Sequence, residues 1–96
     1  DDYRESPAVR VIEHLVRVGA EVSYFDPWVE SFRDGHLDMK GISELTPAVL
    51  QEADLVMITT AHTNVDYELV AKHANAIFDT KNAMKRIKER SNIEVL

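Results

Sequence analysis

Residues 53–62 read ADLVMITTAH, with Leu55, Val56, Met57 and Ile58 forming an unbroken apolar run. A strand with one wet face alternates apolar and polar residues, whereas a continuous run suits a parallel strand covered on both faces. That reading decides the fold class, and the flanks agree with it. Upstream, Thr46-Pro47 signals a helix start, since the hydroxyl can accept a first-turn N–H and the proline's missing donor costs nothing there. Val49, Leu50 and Ala53 then give a brief apolar face. Downstream, a helix is predicted from about Asp66 to Ala74, and AIFDT (residues 76–80) supplies another short strand.

The N-terminal third repeats the alternation. Ser6 is a good N-cap and Pro7 fits the first helical position. Ala8, Val11, Ile12 and Leu15 fall at helical spacing as a buried stripe, widened by Val16 and Val18. Arg10, Glu13 and Arg17 lie opposite, with Glu13 and Arg17 at a favourable i,i+4 spacing. Gly19 ends the helix in the C′ role. AEVSYFDP (residues 20–27) is rich in strand formers and ends at Asp26-Pro27. Residues 28–42 have no clear period and read as a loop with a short strand near Met39–Ile42.

Helix, strand, helix, strand, helix, strand is the signature of a parallel sheet with helices on its faces. The expected architecture is a three-layer α/β/α, Rossmann-like domain over residues 1–96. One feature departs from it. The first helix follows no strand, although the first strand of such folds is central. The expectation is a domain whose first strand is missing from this chain, leaving unpaired sheet edges prone to aggregation.

Composition sets the outer limits. Ninety-six residues suit one domain burying about 60–65% of its extended-chain surface, and 45% hydrophobic with 29% charged is ordinary for a globular chain. A net charge of −6 argues against general nucleic-acid binding, which needs a cationic surface. The charge is uneven: residues 81–96 carry five Lys/Arg against two Asp/Glu, and residues 1–80 carry six against fifteen. No apolar run is long enough to span a membrane, so the sequence predicts a chain with no membrane partner. The absence of cysteine excludes a disulfide framework and a thiolate zinc site.

Few residues remain as candidates for chemistry. Arg4 stands two residues before a helix cap, at the positive end of the helix dipole, where a cation gains nothing. It either pairs with Asp1, Asp2 or Glu5, or waits with the first-turn N–H groups for a phosphate. His14, His36, His62 and His73 never fall three or four residues apart, which disfavours a metal site. His62 follows the strongest strand at its carboxyl end, where open α/β sheets place ligands. Lys81 follows the last strand at the same edge and could reach a bound anion, while Asn82 could cap or bond a ribose hydroxyl. The alternative for both is a polar turn. Neither glycine-rich phosphate cradle is present, nor a cysteine nucleophile. Lys81 to Arg90, with Ala83, Met84 and Ile87 at roughly helical spacing, predicts an amphipathic end helix.

Taken together, DDYRESPA (1–8), GAEVSYFDP (19–27), ADLVMITTAHTNVDYELVAKHA (53–74) and FDTKNAM (78–84) resemble the C-terminal, UDP-binding domain of the UDP-glucose/GDP-mannose dehydrogenase family. Within that family DDYRESP, VDYELV and DTKNAM look most like the UDP-N-acetylglucosamine 6-dehydrogenases. The resemblance covers nearly the whole chain and is weakest over residues 28–42. It implies a parent enzyme with an N-terminal NAD-binding domain and a helical dimer core. Such an enzyme oxidises the C6 alcohol of a UDP-sugar to a carboxylate in two NAD-dependent hydride transfers. The catalytic cysteine of the family precedes this domain, so the resemblance implies no catalytic residue here and an inert isolated chain. It also implies a cytoplasmic setting in polysaccharide biosynthesis.

Carried over residue by residue, Arg4 matches the family arginine that reaches the NAD pyrophosphate, and Lys81 matches a position facing the UDP-sugar. An arginine is frequent at the latter position, and lysine keeps the charge without the bidentate fork. Asp26, Pro27, Asp66 and Tyr67 read as structural. The parent is expected to be a homodimer or larger. UDP-glucose oxidation and a free-standing, non-catalytic nucleotide-binding module stand as alternatives. A receiver-like domain is disfavoured, because DLVMITT has no aspartate at its carboxyl end.

Overall fold

The computed structural model of the chain describes the backbone of residues 7–27, 31–34 and 37–96. The chain divides into two compact units, Asp1–Glu44 and Leu45–Leu96.

In the first unit, helix α1 spans Pro7–Arg17. Its predicted cap, Ser6, lies outside the described residues. Gly19 has φ +95°, a conformation glycine adopts without a Cβ clash. There its N–H donates to Val16 O at 3.1 Å, and the Ala20 N–H donates to Leu15 O at 3.0 Å. This pair of bonds satisfies two orphan carbonyls and ends the helix as the glycine predicts. Arg17 donates to Glu13 Oε1 at 2.9 Å, the anticipated i,i+4 pair.

The buried face of α1 differs from the predicted stripe. Its buried residue is Val9, against which Ile12, Tyr24 and Met39 pack. Val16 and Val18 are 41% and 66% exposed. Val18 lies past the last helical residue, on the closing turn, and the cover over Val9 does not reach Val16 one heptad on.

The sequence also predicts a strand over 21–26, and none forms there. Strand propensity needs a neighbour to pair with, and here the Tyr24 carbonyl accepts the Ile42 N–H at 2.8 Å without a ladder developing. The predicted loop contains a hairpin, and the short strand expected near Met39–Ile42 overlaps its second strand. Strand β1 (Ser31–Asp34) pairs antiparallel with β2 (Leu37–Lys40), in the register Asp34↔Leu37 to Ser31↔Lys40.

The second unit follows the predicted alternation closely. Helix α2 (Pro47–Glu52) is capped by Thr46, whose Oγ1 accepts the Val49 N–H at 3.2 Å. Strand β3 is Val56–Ile58. Helix α3 (Tyr67–His73) is capped by Asp66, whose Oδ1 accepts the Leu69 N–H at 3.1 Å. Strands β4 (Ile77–Asp79) and β5 (Ile93–Val95) complete a three-stranded parallel sheet in the order β3-β4-β5. The registers run Val56↔Ile77↔Ile93 to Ile58↔Asp79↔Val95. The domain is therefore α/β with a parallel sheet, as expected.

Leu50, Ile58, Val70, Ala74, Ile77, Met84 and Ile87 form one buried cluster. Each full-sized apolar side chain among them contributes roughly 1.5–3 kcal/mol by leaving water. Leu55 was expected inside and is 51% exposed. It precedes β3, which ends the described sheet, so the apolar run is not covered along its whole length.

Two asparagines fasten the helix ends. Asn75 Nδ2 donates to Gln51 O and Ala53 O, both at 2.9 Å, tying the end of α2 to the turn after α3. Asn92 Nδ2 donates to Ala71 O and Ala74 O, both at 3.0 Å, and so satisfies carbonyls at the end of α3.

The predicted end helix over 81–90 does not form. Residues 83–86 make a turn, and β5 follows where no strand was anticipated. Within this segment the Ile87 N–H donates to Met84 O at 3.0 Å, a single tight turn, and side chains take further backbone groups. Asp79 takes the N–H groups of Lys81, Ala83 and Met84. Arg90 Nη1 donates to Met84 O at 2.6 Å and Ile87 O at 3.1 Å. Met84 and Ile87 are nevertheless buried, so their spacing marked apolar anchors without marking a helix.

Candidate functional site

Parallel α/β sheets present ligands at the carboxyl ends of their strands, where chains leave the sheet and backbone groups are free to be used. In the Leu45–Leu96 unit this edge is made by the segments leaving β3 (Thr59–His62) and β4 (Thr80–Asn82). The two are stitched together at their base. The Thr80 N–H and Oγ1 both donate to Ile58 O, at 3.1 and 2.7 Å.

The segment leaving β3 is held from below. The Tyr67 hydroxyl, at the start of α3, accepts the His62 N–H at 2.9 Å. Asp66 caps the same helix. Both residues therefore act structurally, as their sequence reading proposes, and His62 is kept half-buried at the edge.

The segment leaving β4 is built around a buried carboxylate. Asp79 is 0% exposed. Its Oδ1 accepts the N–H groups of Lys81 at 3.0 Å and Ala83 at 3.1 Å, and its Oδ2 accepts that of Met84 at 2.7 Å. Hydrogen bonds to an ionised acceptor are the stronger kind, and three of them offset the desolvation of the charge. Asn82 sits at the apex with φ +54°, in the left-handed region that asparagine tolerates better than most residues. Lys81 and Asn82 are both exposed. Among the described residues, neither the Lys81 ammonium nor the Asn82 carboxamide has a hydrogen-bond or ion-pair partner. The arrangement can offer an exposed cation and an amide to an anionic, hydroxyl-bearing ligand from a turn whose backbone N–H groups are held by Asp79.

Of the two residues singled out by sequence, Lys81 thus stands at the sheet's carboxyl edge, and Arg4 lies outside the described residues. Asp79 escaped the sequence reading, which took Asp79-Thr80-Lys81-Asn82 for the end of a strand and a polar turn. The available signal was an acid closing an apolar strand, since aspartate binds backbone N–H groups a few residues on.

A separate open groove of about 1010 Å³ lies between α3 and residues 86–92, lined by Glu68, Lys72, His73, Arg86, Lys88 and Glu89 among others. It includes none of Thr59–His62 or Thr80–Asn82 and mixes both signs of charge, so it is not the edge site. At its rim the Ser91 hydroxyl, then the Ser91 N–H, hydrogen-bond Glu89 and hold its carboxyl below the usual range. Among the described residues no three His, Asp or Glu side chains gather as a metal site requires. No helix among them is long and apolar enough to cross a membrane.

Residues 1–86 match the sequence model of the UDP-glucose/GDP-mannose dehydrogenase family, UDP binding domain. The chain is also similar to the UDP-N-acetyl-D-mannosamine dehydrogenase of Methanocaldococcus jannaschii, at 33% identity over 94 residues. The match takes in 90% of this chain and 20% of the relative, so the chain spans about a fifth of that relative's length. No solved structure matches it.

Proposed function

This chain belongs to the UDP-glucose/GDP-mannose dehydrogenase family, and on that premise we propose that it is the C-terminal UDP-binding domain of an NAD-dependent nucleotide-sugar 6-dehydrogenase. The observation that carries the reading is the turn after β4. It sets Lys81, cationic, exposed and without a partner among the described residues, at the edge where parallel sheets take ligands. In this reading Lys81 meets the nucleotide-sugar and Arg4 meets the pyrophosphate of NAD.

The fit to the dinucleotide is limited on this chain. Its three glycines, at 19, 35 and 41, do not form a glycine-rich turn between a strand and a helix. The sequence therefore offers a pyrophosphate no glycine-rich cradle, which leaves the first-turn N–H groups beside Arg4 as the candidate. The residue of this chain proposed to meet NAD is Arg4, with further contacts proposed to come from the rest of the parent enzyme. When bound, NAD supplies the hydride acceptor. This chain's residues bind and orient, and none of them is assigned a proton or a covalent step.

The proposed substrate is UDP-N-acetylglucosamine or UDP-N-acetylmannosamine, oxidised at C6 to the uronate in polysaccharide biosynthesis in the cytoplasm by a homodimer or larger assembly. Motif likeness supports the first sugar, and the similarity to an N-acetylmannosamine enzyme supports the second. The test is NADH release by the full-length protein across a panel of UDP- and GDP-sugars. Turnover of an N-acetylhexosamine substrate is expected. Turnover of UDP-glucose alone replaces the substrate, and UDP binding without any turnover replaces the enzyme with a binding module.

A further inference from the structure

We infer that Asp79 is a positioning residue: its buried carboxylate fixes, before any ligand arrives, the turn that carries Lys81 and Asn82. The inference rests on the proposed reading of Lys81 as a nucleotide-sugar contact and adds the residue through which that contact is set.

Three observations converge on it. Asp79 is anchored on both sides within the sheet, in register with Ile58 and Val95, and its carbonyl accepts the Leu96 N–H at 3.1 Å. Its carboxylate reaches forward to the N–H groups of residues 81, 83 and 84, passing over Asn82 at the apex. The far end of the turn is pinned as well, because Met84 is 0% exposed in the core. Between two buried, hydrogen-bonded ends, Lys81 and Asn82 are exposed with their polar groups unpartnered among the described residues.

A buried charge is a costly way to stabilise a core, and apolar replacements are frequently as stable. What a carboxylate provides here, and an apolar residue cannot, is three acceptor contacts that dictate the path of the turn. A turn ordered in advance loses little freedom when a ligand binds, and that shows as affinity.

The test is a double-mutant cycle in the full-length dehydrogenase, with UDP affinity read by calorimetry and kcat and KM read for the UDP-sugar. Asp79→Asn keeps the size of the side chain while replacing one acceptor oxygen by a donor. It should weaken UDP about tenfold and raise KM for the UDP-sugar more than it lowers kcat. In a Lys81→Ala background the same change should cost under about twofold, since the contact it positions is gone. If Lys81→Ala weakens UDP while Asp79→Asn only lowers the melting temperature, the positioning role falls and the reading of Lys81 stands. If Lys81→Ala leaves UDP affinity intact, that reading falls, and the positioning role falls with it. Should Asp79→Asn fail to fold, amide hydrogen exchange of the unliganded wild-type protein decides. The amides of residues 81, 83 and 84 should exchange at least about tenfold more slowly than that of Asn82. Equal, fast exchange that becomes protected only on adding UDP would overturn a turn set in advance.

Discussion

The Asp79 carboxylate accepts the Met84 N–H at 2.7 Å, and both residues are completely buried. One bond therefore joins the end of a sheet strand to the apolar core across the exposed turn between them. Asp79→Asn retains shape but turns one of its oxygens into an amide that faces an N–H donor. The expected cost is about 1–3 kcal/mol, the range for leaving a buried donor unsatisfied, measured by denaturant unfolding of the full-length protein. An unchanged unfolding midpoint would show that the turn finds other acceptors.

Asn92 offers a second stability test away from the site. Its side-chain amide closes two carbonyls at the end of α3, those of Ala71 and Ala74. Asn92→Ala should cost about 1–2 kcal/mol, and Asn92→Asp should not rescue it, since a carboxylate facing two carbonyls has nothing to donate. UDP affinity should hold in both variants. A loss of affinity matching the loss of stability would mean that the two regions are not independent.

The elements legible in the sequence were those with local signals. Thr46-Pro47, Asp66 and Gly19 marked helix ends because capping is decided by one side chain and a few neighbouring N–H or C=O groups. Val56–Ile58 and Ile77–Asp79 stood out as short apolar runs. Residues 21–26 carry the same kind of signal, yet a strand exists only with a partner, and partners are not local. The 83–87 segment misled for the opposite reason. Buried Met84 and Ile87 have helical spacing, but Asn82 turns the chain through φ +54° just ahead of them, and the Met84 carbonyl, which an α-helix would bond to residue 88, accepts the Arg90 guanidinium and the Ile87 N–H. The hairpin has a slight local signal, a single glycine at 35 between Ser31–Asp34 and Leu37–Lys40, and the short strand expected near Met39–Ile42 overlaps its second strand. At the site, the exposed cation could be picked out from its position after a strand. The acid that shapes its turn carries only a weak local signal, an aspartate closing an apolar strand, while its burial is a property of the fold.

Glu89 gives a prediction in pH. Ser91 holds its carboxyl below the usual range through the hydroxyl first and the backbone N–H second. A carboxyl lowered by folding stabilises the folded state above its ordinary pKa, and the effect fades as pH falls through the lowered value. Glu89 is exposed, so the effect belongs in its own titration rather than in the melting temperature. Ser91→Ala should move the Glu89 titration upward toward the ordinary glutamate range, followed by carboxyl NMR shifts. An unmoved titration would assign the shift to the backbone N–H.

The last prediction separates the two nucleotides proposed for the parent enzyme. Lys81 leaves the sheet at its carboxyl edge on a fixed turn, whereas Arg4 stands ahead of α1, whose first residue is Pro7. If Arg4 meets the NAD pyrophosphate, Arg4→Ala should raise the apparent KM for NAD by the loss of a charge-assisted contact, about 1.5–3 kcal/mol. UDP affinity should then stay near wild type. Lys81→Ala should do the reverse, weakening UDP and the UDP-sugar while leaving NAD nearly untouched. Lys81→Arg should retain most of the UDP affinity, because it keeps the charge and adds a planar fork suited to phosphate. Neither substitution should shift stability by more than about 0.5 kcal/mol if the altered side chain is solvent-exposed, as Lys81 is. Separate titrations of each variant with NAD and with UDP provide the measurement. Equal losses for both ligands in either variant would indicate a general disturbance of the domain, and unchanged NAD affinity in the Arg4 variant would leave that arginine as a partner of Asp1, Asp2 or Glu5.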